Sequence, residues 1–315
     1  MRYKFIINRK SGRGLKPSFL EQMKERFHRE LGHFDHSMPE TALEAESIAR
    51  DCLSQGVDRI VAVGGDGTMN SAANGFFTHE GPAHNGSALM VSNMGAGSDY
   101  YSSVTWGGKP RSWMDMVTNH VKRRVDVGMI TFHSGPAPAR KYFLNMASVG
   151  MIADIVVRKE AAGQWAPNSL KYFIPTIKSL FNFAPVRLRV KTDSEDFEVD
   201  ALTISISKGK YAGKGMRFGL DVELDDGIFE VTIFENSGPA RMALKLWRMY
   251  AGNYLGVEGI RKLWTNRLEL TSEKPVACEL DGELYGSTDL TVEVLPREIY
   301  VCFPSAGDSR QKAPA

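Results

Sequence analysis

The chain has 315 residues, 43% of them apolar and 24% charged, and its 39 basic and 37 acidic side chains leave a formal charge of +2. This is the composition of an ordinary globular protein, and so small a net charge argues against a nucleic-acid-binding surface. No apolar run approaches the roughly 18 residues of a membrane span, the start MRYKFIINRKSGRG holds no signal-peptide core, and three scattered cysteines (Cys52, Cys278, Cys302) form no disulfide framework.

These features fit a cytoplasmic chain in a reducing compartment, and the length suggests two domains. Tyr3 to Ile7 reads as a short strand followed by the glycine-rich SGRG. Phe19 to Leu31 and Thr41 to Gln55 read as amphipathic helices, the second stopped by Gly56. Ile60 to Val63 is a buried strand, Thr68 to Phe77 the next helix, and Ala88 to Ser92 a further strand. Such alternation predicts a mainly parallel sheet with helices on its faces, whose ligands sit beyond the carboxyl ends of the strands.

The pattern changes near Asp126. GMITFH, KYFLNMASV, VRLRVKT, FEVDALTISIS, GIFEVTIF, NRLELTS, LTVEVLP and EIYVCF are short alternating segments separated by turn residues, which predicts a β-sandwich or barrel. Helical stretches around Ser169 to Phe181 and Pro239 to Tyr254 interrupt it. The expected architecture is therefore an α/β domain over 1–127, to which 298–315 returns, and a β-sandwich over 128–297.

Three glycine-rich loops follow strands: NRKSGRG (Asn8 to Gly14), GGDGT (Gly64 to Thr68) and NMGAGSDYY (Asn93 to Tyr101). Glycine lets backbone turn sharply and approach a ligand closely, and a helix N-terminus offers N–H groups to a phosphate. Thr68 or Asn70 could cap the helix after GGDGT or touch the phosphate. Asp66 would repel phosphate unless a Mg²⁺ or its water shell lies between them. The alternative for any one loop is a plain turn, with Asp66 a structural cap. Three on one sheet edge describe a nucleotide-phosphate site better than three separate turns. The spacing is neither that of the P-loop nor that of the dinucleotide fingerprint.

Taken in order, these segments resemble the diacylglycerol kinase catalytic-domain family, which includes bacterial soluble lipid kinases and the sphingosine and ceramide kinases. GGDGT is similar to its signature, and RRVDVG (Arg123 to Gly128), FLNMASVGMIAD, KGKYAGKGM (Lys208 to Met216), LDDGIFEVTIF (Leu224 to Phe234) and ELDGE (Glu279 to Glu283) resemble its later segments. The resemblance covers nearly the whole chain.

It implies an NAD-kinase-like nucleotide domain, a C-terminal sandwich, an active site in the cleft between them, and ATP- and Mg²⁺-dependent transfer of a phosphoryl group to a lipid hydroxyl at a membrane surface. By position, Asn8, Ser11, Gly12, Gly14, Gly64, Gly65, Asp66, Gly67, Thr68, Asn70, Gly95, Gly97, Ser98 and Asp99 would bind the nucleotide. Asp66, Asp99 and Asp126 would surround the catalytic Mg²⁺. Asp281 and Glu283 would accept the hydroxyl proton, with Asp66 the third catalytic acid. Asp226, with backbone carbonyls near Glu223 and Ile228, would match a structural Mg²⁺ site, the alternative being an Asp-Gly hairpin turn.

Ser71, Ala96 and Ser98 depart from the family pattern, as do Arg9 and Lys214, while every expected acid is present. Two other readings stay open: a soluble-substrate kinase of the NAD-kinase type, which shares GGDGT, and a non-catalytic regulator that binds lipid or nucleotide. Leu170, Phe173, Ile174, Ile177 and Phe181 at helical spacing could line a lipid pocket or pack on the sandwich, and Ala240 to Tyr250 allows the same two readings. VKRR (Val121 to Arg124) is either a solvated face or a contact for anionic lipid. HFDH (His33 to His36) lacks partners for a metal site, and each cysteine defaults to core packing. No nucleic-acid partner is expected, and a homodimer is one assembly open to the chain.

Overall fold

The structure is a computed structural model that describes residues 1–11, 15–78, 81–82, 86–95, 97–105, 112–135, 138–161, 183–235, 248–249, 251–254 and 256–305. The chain forms two compact units: Met1–Val125 together with the chain from Arg297 on, and Asp126–Pro296. The helical stretch from Ser169 to Phe181, most of that from Pro239 to Tyr254, and Gly12, Gly14 and Ala96 lie outside the described residues.

The first unit runs β1 (Tyr3–Ile7), α1 (Pro17–Leu31), β2 (His36–Ser37), α2 (Ala42–Ser54), β3 (Arg59–Val63), α3 (Asp66–Asn74), β4 (Phe77–Thr78), β5 (Gly81–Pro82), β6 (Ala88–Val91), α4 (Asp99–Val104) and α5 (Trp113–Thr118). β2, β1, β3 and β6 pair in that order, all parallel, and the chain at Tyr300 and Val301 adds a further parallel strand beside β6. β1, β3 and β6 are buried along almost their whole length, as strands covered on both faces must be. Phe5, Phe27 and Phe34 stack at centroid distances of 4.8 to 5.9 Å, with Trp113 against Phe27 at 6.3 Å. α2 starts as its sequence dictates, with the Thr41 hydroxyl accepting from the Glu44 N–H at 3.1 Å.

α3 departs from the expected Thr68 to Phe77. It begins at Asp66 and ends at Asn74, with Gly65 as its N-cap, so Thr68 lies inside the first turn and caps nothing. The Thr68 hydroxyl instead accepts from the Asn8 side chain at 3.1 Å.

The long strand β7 (His120–Phe132) leads into the second unit, which continues with β8 (Ala139–Phe143), β9 (Met146–Gly150), α6 (Met151–Ala161), β10 (Val186–Thr192), β11 (Asp196–Ser207), β12 (Tyr211–Ala212), β13 (Met216–Arg217), β14 (Phe229–Glu235), β15 (Ile260–Thr265), β16 (Arg267–Thr271), β17 (Ala277–Leu280), β18 (Glu283–Ser287) and β19 (Leu290–Pro304). Its ladders are antiparallel. β11 pairs β10 over its first half; past an irregularity between Ala201 and Thr203, it pairs β9 and β14 over its second. One strand thereby serves two sets of neighbours, the device by which sheets turn corners. Ile130, Phe143, Val149, Leu188, Ile204, Val231, Leu268 and Val292 belong to one buried core. Among the described residues, no helix is long and apolar enough to cross a membrane.

Gly128, the glycine of RRVDVG, lies under the ring of Phe143, and a Cβ there would fall 2.2 Å from two ring carbons. Gly128→Ala should therefore lower stability by about 1–3 kcal/mol through overpacking, read as a drop in thermal midpoint. In the first unit, burial and the neighbouring Arg59 push the His120 imidazole below its ordinary value. The unfolded chain then takes up a proton more readily than the folded one, so this contribution to stability holds above about pH 6.5 and is lost on acidification. His120→Gln should flatten the loss of stability between roughly pH 6.5 and 5 in denaturant titrations.

Candidate functional site

β1, β3 and β6 run parallel and are in contact, so their carboxyl ends deliver the three glycine-rich loops to one edge of the first unit. The loops hold one another. The Asn8 N–H donates to the Val63 carbonyl at 3.0 Å, and the Lys10 N–H donates to the Asn8 side chain at 2.9 Å. Ser92 accepts from the Gly64 N–H at 2.9 Å and donates to the Gly64 carbonyl at 3.2 Å. Ser98, at a left-handed φ of 53°, accepts from the Gly95 N–H at 3.1 Å.

Glycine is required where these loops cross. A Cβ on Gly95 would sit 2.3 Å from the Cα of Gly65, and one on Gly64 would sit 2.2 Å from the Thr68 hydroxyl oxygen. A Cβ on Gly65 would pass 3.7 Å from the Ser11 hydroxyl, so the first loop also reaches this point. α3 starts here with no side-chain cap, so its first N–H groups face the loops without a side chain folded over them. Gly65, Asp66, Gly67 and Gly95 are half-buried and Gly97 is exposed. Asn70 is set apart: it is fully buried within α3, where its side chain accepts from Asn74 at 3.2 Å.

Asp66 accepts from the Asp99 N–H at 3.0 Å and the Tyr100 N–H at 3.1 Å, so its carboxylate sits on the N-terminus of α4. Asp99, the first residue of α4, is buried. Helix N-terminal partial charge stabilises an acid placed this way. A carboxylate beside glycine backbone supplies hard oxygen donors of the kind that Mg²⁺ takes.

In the second unit, ELDGE forms the tip of the β17–β18 hairpin. Asp281 and Gly282 are its two turn residues, at φ of 51° and 89°, which is the two-residue geometry that Asp-Gly favours. The three acids of this segment have different surroundings. Glu279 is buried, accepting from Ser148 at 2.6 Å and from the Gly282 N–H at 2.7 Å. Asp281 is buried and accepts from three consecutive backbone N–H groups, those of Leu144, Asn145 and Met146, each at 3.0 Å. Glu283 is half-buried, and of the three it is the acid with reach to solvent.

Asp126 and Asp226 meet at Lys208, a residue that the sequence analysis did not single out. Its ammonium lies 2.7 Å from Asp126, pairs with Asp226, and donates to the Ile228 carbonyl at 2.9 Å. The Asp126 and Asp226 carboxylates thus already hold a cation, so the residues present do not fit a metal there. Among the described residues, no three His, Cys, Asp or Glu side chains are grouped to hold a metal. Burial pushes the Cys302 thiol up to about 12 and the Cys278 thiol well up, so neither is a nucleophile.

Comparison with known proteins accounts for both units. The family model of the diacylglycerol kinase catalytic domain matches residues 2–130, and that of the YegS C-terminal NAD kinase beta sandwich-like domain matches residues 146–303. A diacylglycerol kinase of Bacillus subtilis is 24% identical over 309 residues, 96% of each chain. A "Probable lipid kinase YegS-like" of Xanthomonas euvesicatoria is 24% identical over 265 residues, 83% of this chain and 84% of its own. The crystal structure of a diacylglycerol kinase from Bacillus anthracis superposes with a TM-score of 0.69 at 18% identity, covering 98% of both chains. Yeast NADH kinase, solved with NADH, shares the fold at a TM-score of 0.54 and 10% identity, covering 98% of this chain and 85% of its own.

Asp281→Asn replaces an acceptor oxygen by an NH₂ that cannot receive a backbone N–H. The variant should lose about 1–3 kcal/mol of stability and show faster amide exchange at Leu144, Asn145 and Met146, measured by hydrogen–deuterium exchange.

Proposed function

Since the chain belongs to the diacylglycerol kinase family, joining its catalytic domain to the YegS-type C-terminal domain, we propose that it is an ATP- and Mg²⁺-dependent lipid kinase. In this reading it transfers the γ-phosphoryl group to a lipid hydroxyl, of diacylglycerol or a related lipid alcohol, presented at a membrane surface. The observation that carries the reading is the meeting of three glycine loops at the uncapped start of α3, where Gly65 and Gly95 touch backbone to backbone. That surface offers N–H groups and no side-chain bulk, as a run of phosphates requires.

The residues take separate roles. Asn8, Ser11, Gly64, Gly65, Gly67, Gly95, Gly97 and Ser98 shape the phosphate cradle. Thr68 supports it through its bond from Asn8. Asp66 and Asp99 would hold the Mg²⁺, which when bound neutralises charge on the phosphate oxygens. The amides of α4 fix the direction in which Asp66 points. Glu283 takes the proton from the lipid hydroxyl, the general-base role that phosphoryl transfer to an alcohol needs. Asp281 holds the Leu144–Met146 backbone and positions the hairpin tip from which Glu283 extends.

Transfer of labelled γ-phosphate from Mg·ATP to a panel of lipid alcohols in mixed micelles tests this, with NAD as a soluble acceptor control. A labelled lipid is expected. Glu283→Ala should lower turnover by about 10²- to 10⁴-fold while nucleotide binding persists, and Asp66→Ala should lower both turnover and Mg·ATP binding. Labelled NAD would point instead to a soluble-substrate kinase, and bound nucleotide without any labelled product to a non-catalytic regulator.

A further inference from the structure

Lys208 immediately follows β11 and its side chain is 0% exposed. Its backbone N–H and that of Gly209 both donate to the Asn145 carbonyl at 2.8 Å, so the residue is tied down at its root. At the far end the ammonium meets three oxygens: Asp126 at 2.7 Å, the Ile228 carbonyl at 2.9 Å, and Asp226. An ammonium has three N–H donors, and all three are used.

The shell around these oxygens is equally complete. Asp126 also accepts from the Gly227 N–H at 2.7 Å, and its own N–H donates to the Leu224 carbonyl at 2.8 Å. Asp226 also accepts from the N–H groups of Glu223, at 2.9 Å, and Ile228, at 3.2 Å. Backbone amides thereby meet the negative charge that one ammonium leaves on two carboxylates. Two carboxylates and a backbone carbonyl converging on one point are the donors that a hard divalent cation takes. In this chain that point carries the positive charge of a lysine.

We propose that Lys208 is a built-in cation: its ammonium replaces a divalent ion between Asp126, Asp226 and the Ile228 carbonyl, so the LDDG loop is held without metal. Mg²⁺ would have to displace a side chain that has no exposed surface and would then lose three oxygen partners. The family resemblance led to the expectation of a structural Mg²⁺ on Asp226 and a carbonyl near Ile228, and that carbonyl accepts from Lys208 instead. Lys208 opens the KGKYAGKGM segment, and an asparagine substituted there tests its role. An asparagine has no charge and is too short to fill the same place.

The test counts bound Mn²⁺ by electron paramagnetic resonance on the full chain without nucleotide or lipid, so it is independent of kinase activity. The native chain and Asp226→Asn should bind the same number of ions. Lys208→Asn should bind one more, and Lys208→Asn with Asp226→Asn should lose it again. In EDTA, Lys208→Asn should melt roughly 6–20 °C lower than native, and Mg²⁺ should restore part of that loss. A native ion that disappears in Asp226→Asn would overturn the proposal, as would a folded Lys208→Asn that gains none. Should Lys208→Asn fail to fold even with metal, the comparison of native with Asp226→Asn still decides.

Discussion

Carboxylates that accept backbone N–H groups from distant segments hold this molecule's loops in shape. Asp66 receives amides 33 and 34 positions further along the chain. Asp281 receives three amides 135 to 137 positions back. Each such bond meets two needs at once. The first turn of a helix and a tight loop both expose N–H groups that have no partner of their own, and a buried carboxylate needs donors to offset lost solvation. Charge-assisted bonds are roughly twice as strong as neutral ones, so a single acid can fix the path of a loop. The position of the acid and the shape of the loop therefore become one variable. Changing Asp66 or Asp281 alters backbone as well as charge.

Glycine acts in two physically different ways on the same framework. At Gly65 and Gly95 the absent side chain lets two loops touch and leaves their backbone half-buried. At Gly128 it makes room for the Phe143 ring, which stacks on Phe229 at 5.7 Å inside the core of the second unit. All three glycines belong to segments that resemble the family's motifs, yet Gly65 and Gly95 join two loops and Gly128 packs a core. A motif position thus shows that a side chain is excluded, while only the neighbours show what excludes it.

That difference marks what could be read from the sequence. β1 is legible because an apolar stretch, interrupted only by Lys4 and bounded by a glycine loop, reads as a strand, and α2 because Thr41 sits before a periodic pattern with Glu44 in its first turn. The start of α3 was misread because a Gly-Asp-Gly run reads as loop, whereas Gly65 is the N-cap and the Thr68 hydroxyl is engaged by Asn8 from another loop. α4 and α5, of six residues each, are too short to show a helical period. Asp-Gly at 226 and 227 suggested a hairpin, but β13 and β14 on either side of it do not pair with each other; the Asp-Gly hairpin lies at Asp281 and Gly282. The acids were legible as residues, but their surroundings were not. Nothing local distinguishes Glu279, closed in by Ser148 and Gly282, from Glu283, which reaches solvent.

Lys208 was hidden for the same reason, since a lysine in a turn-rich segment reads as solvated. Its burial divides the molecule's cations into two kinds. The second unit carries its own, and not only at Lys208: Lys262, nearly buried, pairs with the fully buried Glu230 and lies 4.8 Å over the Tyr254 ring. A covalently attached ammonium cannot dissociate and does not respond to the divalent ion concentration. In the first unit, Asp66 is half-buried at a loop edge, and its carboxylate accepts from two backbone amides at the start of α4. A cation that accompanies a nucleotide must arrive and leave with each turnover, while one that holds a loop must stay. In the second unit lysines pair with buried acids, while Asp66 receives backbone dipoles, which orient a carboxylate without cancelling its charge.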